Sequence, residues 1–363
     1  MRSSRKVLSV MAALFMLTGC ASQPQETAVT GSAPQEASAV KVGIAMPTRD
    51  LQRWNQDAQH LKQELEKLGY AADIQFAGND PDTQISQISK MIDSGDRALI
   101  IACVDSNSLS GVLERADDED IPVVAYDRLI MDTDAVDCYA SFDNYLVGYK
   151  QGTFIKEKLD LDHLDRTFNI EIFSGDMADN NSRYFYEGAM DVLSPYIEEG
   201  KLVVPSGKIS QEDTQVSGWE TFTAKARMDE IRSMYYKDGT VLDAVLCPND
   251  TTALGVIYSL TVGYNGSWPI ITGQDCDTAN ISYMREGKQA MDIFKDTRKL
   301  AVKAAEMTDD LLGGREPSVN DTESYDNGSE VIPAYLCEPM VATADNYWEI
   351  LVESGYYNEE VVS

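Results

Sequence analysis

Polar residues that suit hydroxyl recognition fall in short clusters along the whole chain. Arg49 and Arg53, Asp105, Asp127-Arg128 and Asp143-Asn144 make up the first set. Asp176, Asp179, Asn180 and Asn181, then Asn249-Asp250, Gln274-Asp275 and Lys295-Asp296, make up the second. Carboxylates accept, amides both donate and accept, and Arg and Lys supply donors that stay charged. Neighbouring hydroxyls on a sugar ring each call for one donor and one acceptor, and this residue set supplies both. Trp54 and Trp219 stand beside two of the clusters and offer flat faces for the C–H patches of a pyranose. Competing roles exist for single residues. Asp50, Asp80 and Thr252 suit helix caps, and Trp54 also lies on an apolar helix stripe. Capping accounts poorly for all the clusters together.

Other chemistries lack their parts. There is no Gly-rich phosphate loop and no G-x-G-x-x-G after the first strand. There is no G-x-S-x-G elbow. The two histidines, His60 and His163, fall outside the polar clusters, which argues against a Ser/His/Asp triad. A carboxylate pair could hydrolyse glycosides, but no acid and nucleophile single themselves out. No metal or cofactor is expected.

The elements that position these clusters alternate. Val40–Met46 is an apolar run. Trp54, Ala58, Leu61, Leu65 and Leu68 then recur at helical spacing, and Gly69 closes the helix. Ala72–Phe76, Ala98–Ala102, Pro122–Tyr126 and Cys138–Phe142 read as further strands with helices between them. The rhythm restarts after residue 146, with strands expected at Phe168–Phe173, Leu202–Val204, Ala244–Leu246, Ile270–Thr272 and Met291–Phe294. A helix near Leu300–Leu312, a strand near Val331–Leu336 and a helix near Asp345–Ser354 close the chain. This order predicts an α/β fold of two similar doubly wound parallel-sheet lobes. The polar clusters then follow strand ends, where open parallel sheets bind ligands.

The chain has 363 residues, 43% hydrophobic and 25% charged, with a formal net charge of −30 and a pI near 4.3. Such a polyanion repels nucleic acid and anionic lipid. Arg2, Arg5 and Lys6 precede the apolar run Val7–Leu17, and Leu17-Thr18-Gly19-Cys20 follows the pattern of a bacterial lipoprotein signal. Residues 1–19 are expected to be removed as a signal peptide, with lipid attached at Cys20. Their loss takes three basic residues and no acidic ones, so −30 becomes −33. Residues 20–39 then form the lipidated cysteine and a flexible tether. Cys103, Cys138, Cys247, Cys276 and Cys337 are an odd set without close pairs, which argues against a disulfide framework. All but Cys276 lie in or beside apolar runs and read as small core residues.

Residues 40–363 resemble the periplasmic monosaccharide-binding proteins of ATP-driven sugar importers, the xylose-binding and multiple-monosaccharide-binding types in particular. The resemblance rests on Arg53-Trp54, Ala125-Tyr126-Asp127-Arg128-Leu129, Ser141-Phe142-Asp143-Asn144 and Asp179-Asn180-Asn181. It continues through Gly218-Trp219, Asn249-Asp250, Gly273-Gln274-Asp275 and Phe294-Lys295-Asp296-Thr297-Arg298. Ser174-Gly175-Asp176-Met177-Ala178 departs from the family's usual run.

The resemblance implies a type 1 periplasmic binding protein with three crossings between lobes, near 145, 296 and 329, acting as a hinge. Lobe one would be 40–145 plus 297–328, and lobe two 146–296 plus 329–363. By motif position, Arg53, Asp127, Arg128, Asp179, Asn181, Asn249, Asp275 and Lys295 would hydrogen-bond the sugar. Trp54 and Trp219 would sandwich its ring, and Arg49, Asp105 and Asp296 are further possible contacts. The implied protein is a monomeric, lipid-anchored, extracytoplasmic receptor without enzymatic activity. It would take a xylose-, glucose- or galactose-like aldopyranose and pass it to an ABC permease with its ATPase. Alternatives are a sensor that presents the closed form to a chemoreceptor or histidine kinase, or a secreted sugar-processing enzyme.

Overall fold

Continuous apolar runs become strands buried on both faces. A computed structural model describes residues 39–237 and 239–362. The expected signal peptide, Cys20 and the expected tether up to Ser38 lie outside the described residues. In the first half, β1 (Lys41–Met46), β2 (Ala71–Phe76), β3 (Ala98–Ile101), β4 (Val123–Tyr126) and β5 (Cys138–Phe142) alternate with helices. These are α1 (Gln52–Lys67), α2 (Pro81–Asp93) and α3 (Ser110–Asp118). In the second half, α4 (Asn144–Lys158) leads to β6 (Phe168–Ile172), α5 (Asn181–Glu198), β7 (Leu202–Val203), the short α6 (Gln211–Thr214) and α7 (Thr221–Tyr235). Then come β8 (Ala244–Leu246), α8 (Asp250–Gly263), β9 (Ile270–Ile271), α9 (Thr278–Arg285) and β10 (Asp292–Phe294). The chain continues through α10 (Thr297–Leu312), β11 (Ala334–Cys337), β12 (Met340–Ala342) and α11 (Glu359–Val362).

The first sheet has the order β11-β5-β4-β3-β1-β2, with every neighbour parallel. The second runs β7-β6-β8-β9, also parallel. β10 pairs antiparallel with β12. It also continues the second sheet, because Ala290 N donates to Ile271 O, Ile293 N to Gly273 O and Asp275 N to Ile293 O. Both sheets therefore carry the doubly wound order with a reversal beside the first strand of each half, where such sheets open a crevice. Apolar clusters cover the two faces of each sheet, which is why the strands lack the alternation of half-exposed ones.

One boundary differs from expectation. β11 pairs with β5 in register Ala334↔Tyr139 to Cys337↔Phe142. Residues up to Cys337 thus belong with the first sheet, and the third crossing falls between Cys337 and Met340, not near 329. The first two crossings fall at Asp143 and Asp296, between β5 and α4 and between β10 and α10. Each aspartate caps the helix it opens, Asp143 accepting from Leu146 N at 2.9 Å and Asp296 from Arg298 N at 3.2 Å. Of the caps expected from sequence, Asp80 accepts from Thr83 N at 2.9 Å. Asp50 and Thr252 do not cap: Leu51 precedes α1 without a side-chain cap, and Asn249 caps α8. All five described cysteines are free and buried.

Candidate functional site

Six of the eight polar clusters send residues into one cavity between the two sheets. It encloses about 450 Å3 of non-protein space, counting its open mouth. From the first half, Arg53, Trp54, Asp127 and Arg128 line it. From the second come Asp179, Asn181, Trp219, Asn249, Asp275 and Lys295. Every residue expected to hydrogen-bond or stack is therefore brought together. Leu51, Phe185, Thr251, Gln274 and Asp277 also line the cavity and were not singled out from sequence.

The three further contacts are not brought to it. Arg49 is exposed and lays its guanidinium over Phe76, 3.9 Å from the ring centre. Asp105 accepts from Asn107 N at 2.7 Å and lines a neighbouring cavity. Asp296 is held by Arg298, whose Nε donates at 2.8 Å and Nη2 at 2.9 Å. These are structural duties at strand ends, the competing role open to any such polar residue.

The cavity's charges balance pairwise. Arg53 donates to Asp127 through Nη2, and its Nη1 lies 3.5 Å from Asp275. Arg128 Nε lies 3.0 Å from Asp179 Oδ2, and Lys295 Nζ lies 3.1 Å from Asp275 Oδ1. The β9–β10 ladder explains the last pair, since it ends both strands at the same level. Arg128 also donates from Nη1 to the carbonyls of Cys103 at 3.0 Å and Val104 at 3.2 Å. Behind Arg53, the fully buried Asp57 accepts from its Nε at 3.1 Å and from Tyr126 OH at 2.5 Å. Burying three cations is costly unless each is paired, and here each is.

These surroundings set the protonation. Burial pushes Asp127 up, but Arg53, Lys295 and Arg128 outweigh it and hold its carboxyl below the usual range. Burial raises Asp179 despite Arg128. Burial lifts Asp57 to about 6 against the pull of Arg53. Burial, then the neighbouring Asp275, lifts Asp277 to about 7.

The two indoles form apolar walls. Trp54 is 3% exposed and carries the Arg53 guanidinium 4.7 Å from its ring centre. Trp219 is 7% exposed and meets Phe185 edge to face at 6.4 Å. A turn with Gly218 at φ 66° and Trp219 at φ 58° presents that indole, and Asp176 fixes it by accepting from Gly218 N at 2.6 Å. Asp127 and Asp275 are also left-handed, at φ 61° and 101°. Non-glycine residues there cost on the order of 1–3 kcal/mol each and concentrate at functional sites.

α5 carries Asn181 and Phe185 on one face, one turn apart. Its position is fixed by close contact with α4. A Cβ on Gly148 would lie 1.9 Å from Phe185 O, and one on Gly188 would lie 2.1 Å from Tyr145 O. Asn181 Nδ2 then donates to Asp127 O at 2.8 Å, and its Oδ1 accepts from Asn144 at 2.9 Å. Asn249 has two duties. Its Oδ1 caps α8 through Thr252 N at 3.1 Å, and its Nδ2 donates to Thr251 Oγ1 at 2.9 Å. Among the described residues no cluster of His, Cys, Asp or Glu is arranged to hold a metal ion, and no helix is long and apolar enough to cross a membrane.

Known proteins share this sequence and shape. The model of the periplasmic binding protein domain matches residues 42–316. The multiple sugar-binding periplasmic receptor ChvE of Rhizobium radiobacter is 44% identical over 323 residues, covering 88% of this chain and 91% of that protein. The D-xylose-binding periplasmic protein of Escherichia coli is 34% identical over 323 residues, covering 89% and 92%. A crystal structure of an ABC transporter solute-binding protein from Clostridium phytofermentans, with bound β-D-glucose, is 56% identical with a TM-score of 0.88. It covers 89% of this chain and all of that one.

Proposed function

The chain belongs to the periplasmic binding protein domain family, and from that premise we propose that it captures a neutral aldopyranose by closing its two lobes on the sugar. The observation that carries the reading is the pairing inside the cavity. Arg53, Arg128 and Lys295 each already face a carboxylate. An anionic ligand meets no unpaired cation there, whereas a neutral polyol finds donors and acceptors side by side between Trp54 and Trp219. The ten residues Arg53, Trp54, Asp127, Arg128, Asp179, Asn181, Trp219, Asn249, Asp275 and Lys295 are its contacts. No bond is made or broken.

The relatives' names support the ligand class, with multiple sugars for one, D-xylose for another and β-D-glucose for a third. The receptor sits outside the cytoplasm as a monomer, tethered through lipid on Cys20, and delivers the sugar to an ABC permease and its ATPase. The three crossings serve as the hinge.

Calorimetric titration of residues 40–363 against aldopentoses and aldohexoses tests this. One-to-one binding of several sugars without turnover is expected, and silence across the panel removes the reading. Asp275→Ala and Arg128→Ala each lose most of the affinity, because a buried hydroxyl left without its partner costs about 1–3 kcal/mol. Arg128→Ala stays folded, since burial already favours the protonated form of Asp179, and circular dichroism checks the fold of Asp275→Ala, which leaves Lys295 without its carboxylate. Unchanged isotherms in the two variants would refute the assignment.

A further inference from the structure

Two acceptors in the cavity wall have no donor within the protein. Gln274 is 2% exposed. Its Nε2 donates to Pro248 O at 3.1 Å. A carbonyl only accepts, so the amide cannot turn over, and Oε1 stays on the other side, buried and unpartnered. Asp277 precedes α9 yet does not cap it with its side chain. Its Oδ1 is likewise buried without a protein partner. Both residues line the cavity, and Asp277 also lines an outer chamber. That chamber shares Leu51, Trp219 and Thr251 with the inner cavity.

The cavity also adjoins space beside Asp105, where several charged groups are already engaged. Asp105 accepts from Asn107 N, Asp176 accepts from Gly218 N and Ala178 N, and Arg128 is engaged by two carbonyls and Asp179. A substituent that projects past the ring toward Gln274 and Asp277 therefore finds both room and buried unmet acceptors.

We infer that Gln274 and Asp277 read the exocyclic hydroxymethyl by which an aldohexose exceeds an aldopentose, with the outer chamber taking what extends past it. This rests on the aldopyranose reading. A C6 hydroxyl donates to Gln274 Oε1, and it suits Asp277 in either protonation state, because a hydroxyl both donates and accepts. Ring hydroxyls remain with the charged pairs.

The test titrates the full chain with D-glucose, 6-deoxy-D-glucose and D-xylose. The wild type is expected to hold glucose at least about tenfold more tightly than its 6-deoxy analogue. Asp277→Ala narrows that gap to about threefold or less and weakens glucose about fivefold more than xylose. Gln274→Leu shifts the same ratios in the same direction. Equal binding of glucose and 6-deoxyglucose by the wild type overturns the inference without needing any variant. So does an Asp277→Ala loss that is the same for glucose and xylose. Silence of the wild type toward all three sugars overturns the aldopyranose reading and this inference with it.

Discussion

Gly175 has no side chain because Trp219 occupies the space where one would be. A Cβ there would lie 1.9 Å from Trp219 Cη2 and 2.4 Å from Ser182 Oγ. Neither neighbour is free to yield. Trp219 is held by its left-handed turn, and Ser182 lies in the first turn of α5. Gly175→Ala should therefore push the indole into the cavity and narrow the gap opposite Trp54. Sugar affinity is expected to fall tenfold or more, roughly the cost of an overpacked site, while the far-ultraviolet circular dichroism stays that of the wild type. An unaltered isotherm would mean that Trp219 is not a wall of the sugar site. Gly175 falls in the segment that departs from the family's usual run. The structure gives that segment a local job, since Asp176 and Gly175 together set the pose of Trp219.

At the scale of elements, three carboxyls meet behind the site where α8, the loop before α9 and β10 converge. Gln289 Nε2 donates to Asp250 Oδ1 at 2.9 Å and to Asp292 Oδ2 at 3.0 Å. Asp277 N donates to Asp250 Oδ2 at 2.7 Å. Burial, then the mutual repulsion of these groups, drives Asp250 well above the carboxylate range, and burial lifts Asp292 to about 8. A carboxyl whose folded value is raised contributes stability that is complete below its unfolded value of about 4. That stability is lost progressively as pH climbs through the folded value. The melting temperature should accordingly fall between pH 5 and pH 8.5. The surface carboxylates are ionised across that window, so their repulsion stays nearly constant and does not produce the slope. Asp292→Asn should make the fall shallower, the remainder coming from Asp57 and Asp277. A level profile in the wild type, or the same slope in the variant, would exclude a raised carboxyl at Asp292.

How far the sequence carries also differs by element. Strand ends were legible because strands buried on both faces read as unbroken apolar runs, and the polar residue after each run marks the edge. Which way that residue faces was not legible, so Arg49, Asp105 and Asp296 could not be told from Arg53, Asp127 and Lys295. Phe185 left a faint signal, one helical turn after Asn181. Asp277 left none, because a residue before a helix reads as its cap. The third crossing lies later than the sequence suggests, because a strand such as Ala334–Cys337 reads alike whichever sheet it joins.

At the scale of the molecule, the two lobes also meet outside the cavity, beside the crossings, where Tyr356 OH bonds with Gln56 and Thr297 and Arg298 donates to Ser354 O, and at the rim. Ser106 N donates to Ala178 O at 3.0 Å, and Asn180 N to Ser106 Oγ at 3.2 Å. Gln52 accepts from Thr278 Oγ1 at 2.9 Å and donates to Tyr357 OH at 2.9 Å. Tyr184 OH donates to Ser324 O at 3.2 Å. Each such bond is worth about 0.5–1.5 kcal/mol at most, because water competes for the same groups. Inside the cavity the lobes are also joined by ion pairs, Arg53 with Asp275 and Arg128 with Asp179, which opening exchanges for hydration of both partners. On the proposed closure, the rim contributes modestly to the closed form, and a sugar bridging both lobes would supply the rest. Since a ligand shifts such an equilibrium only by its differential affinity, Gln52→Ala should weaken sugar binding several-fold although Gln52 does not line the inner cavity. Solution scattering carries the decisive reading: the radius of gyration should shrink on saturation with sugar in the wild type. In Gln52→Ala the shrinkage should require more sugar but reach the same end point. Scattering profiles that coincide with and without sugar would mean the lobes do not move, and the rim would then have no part in setting affinity.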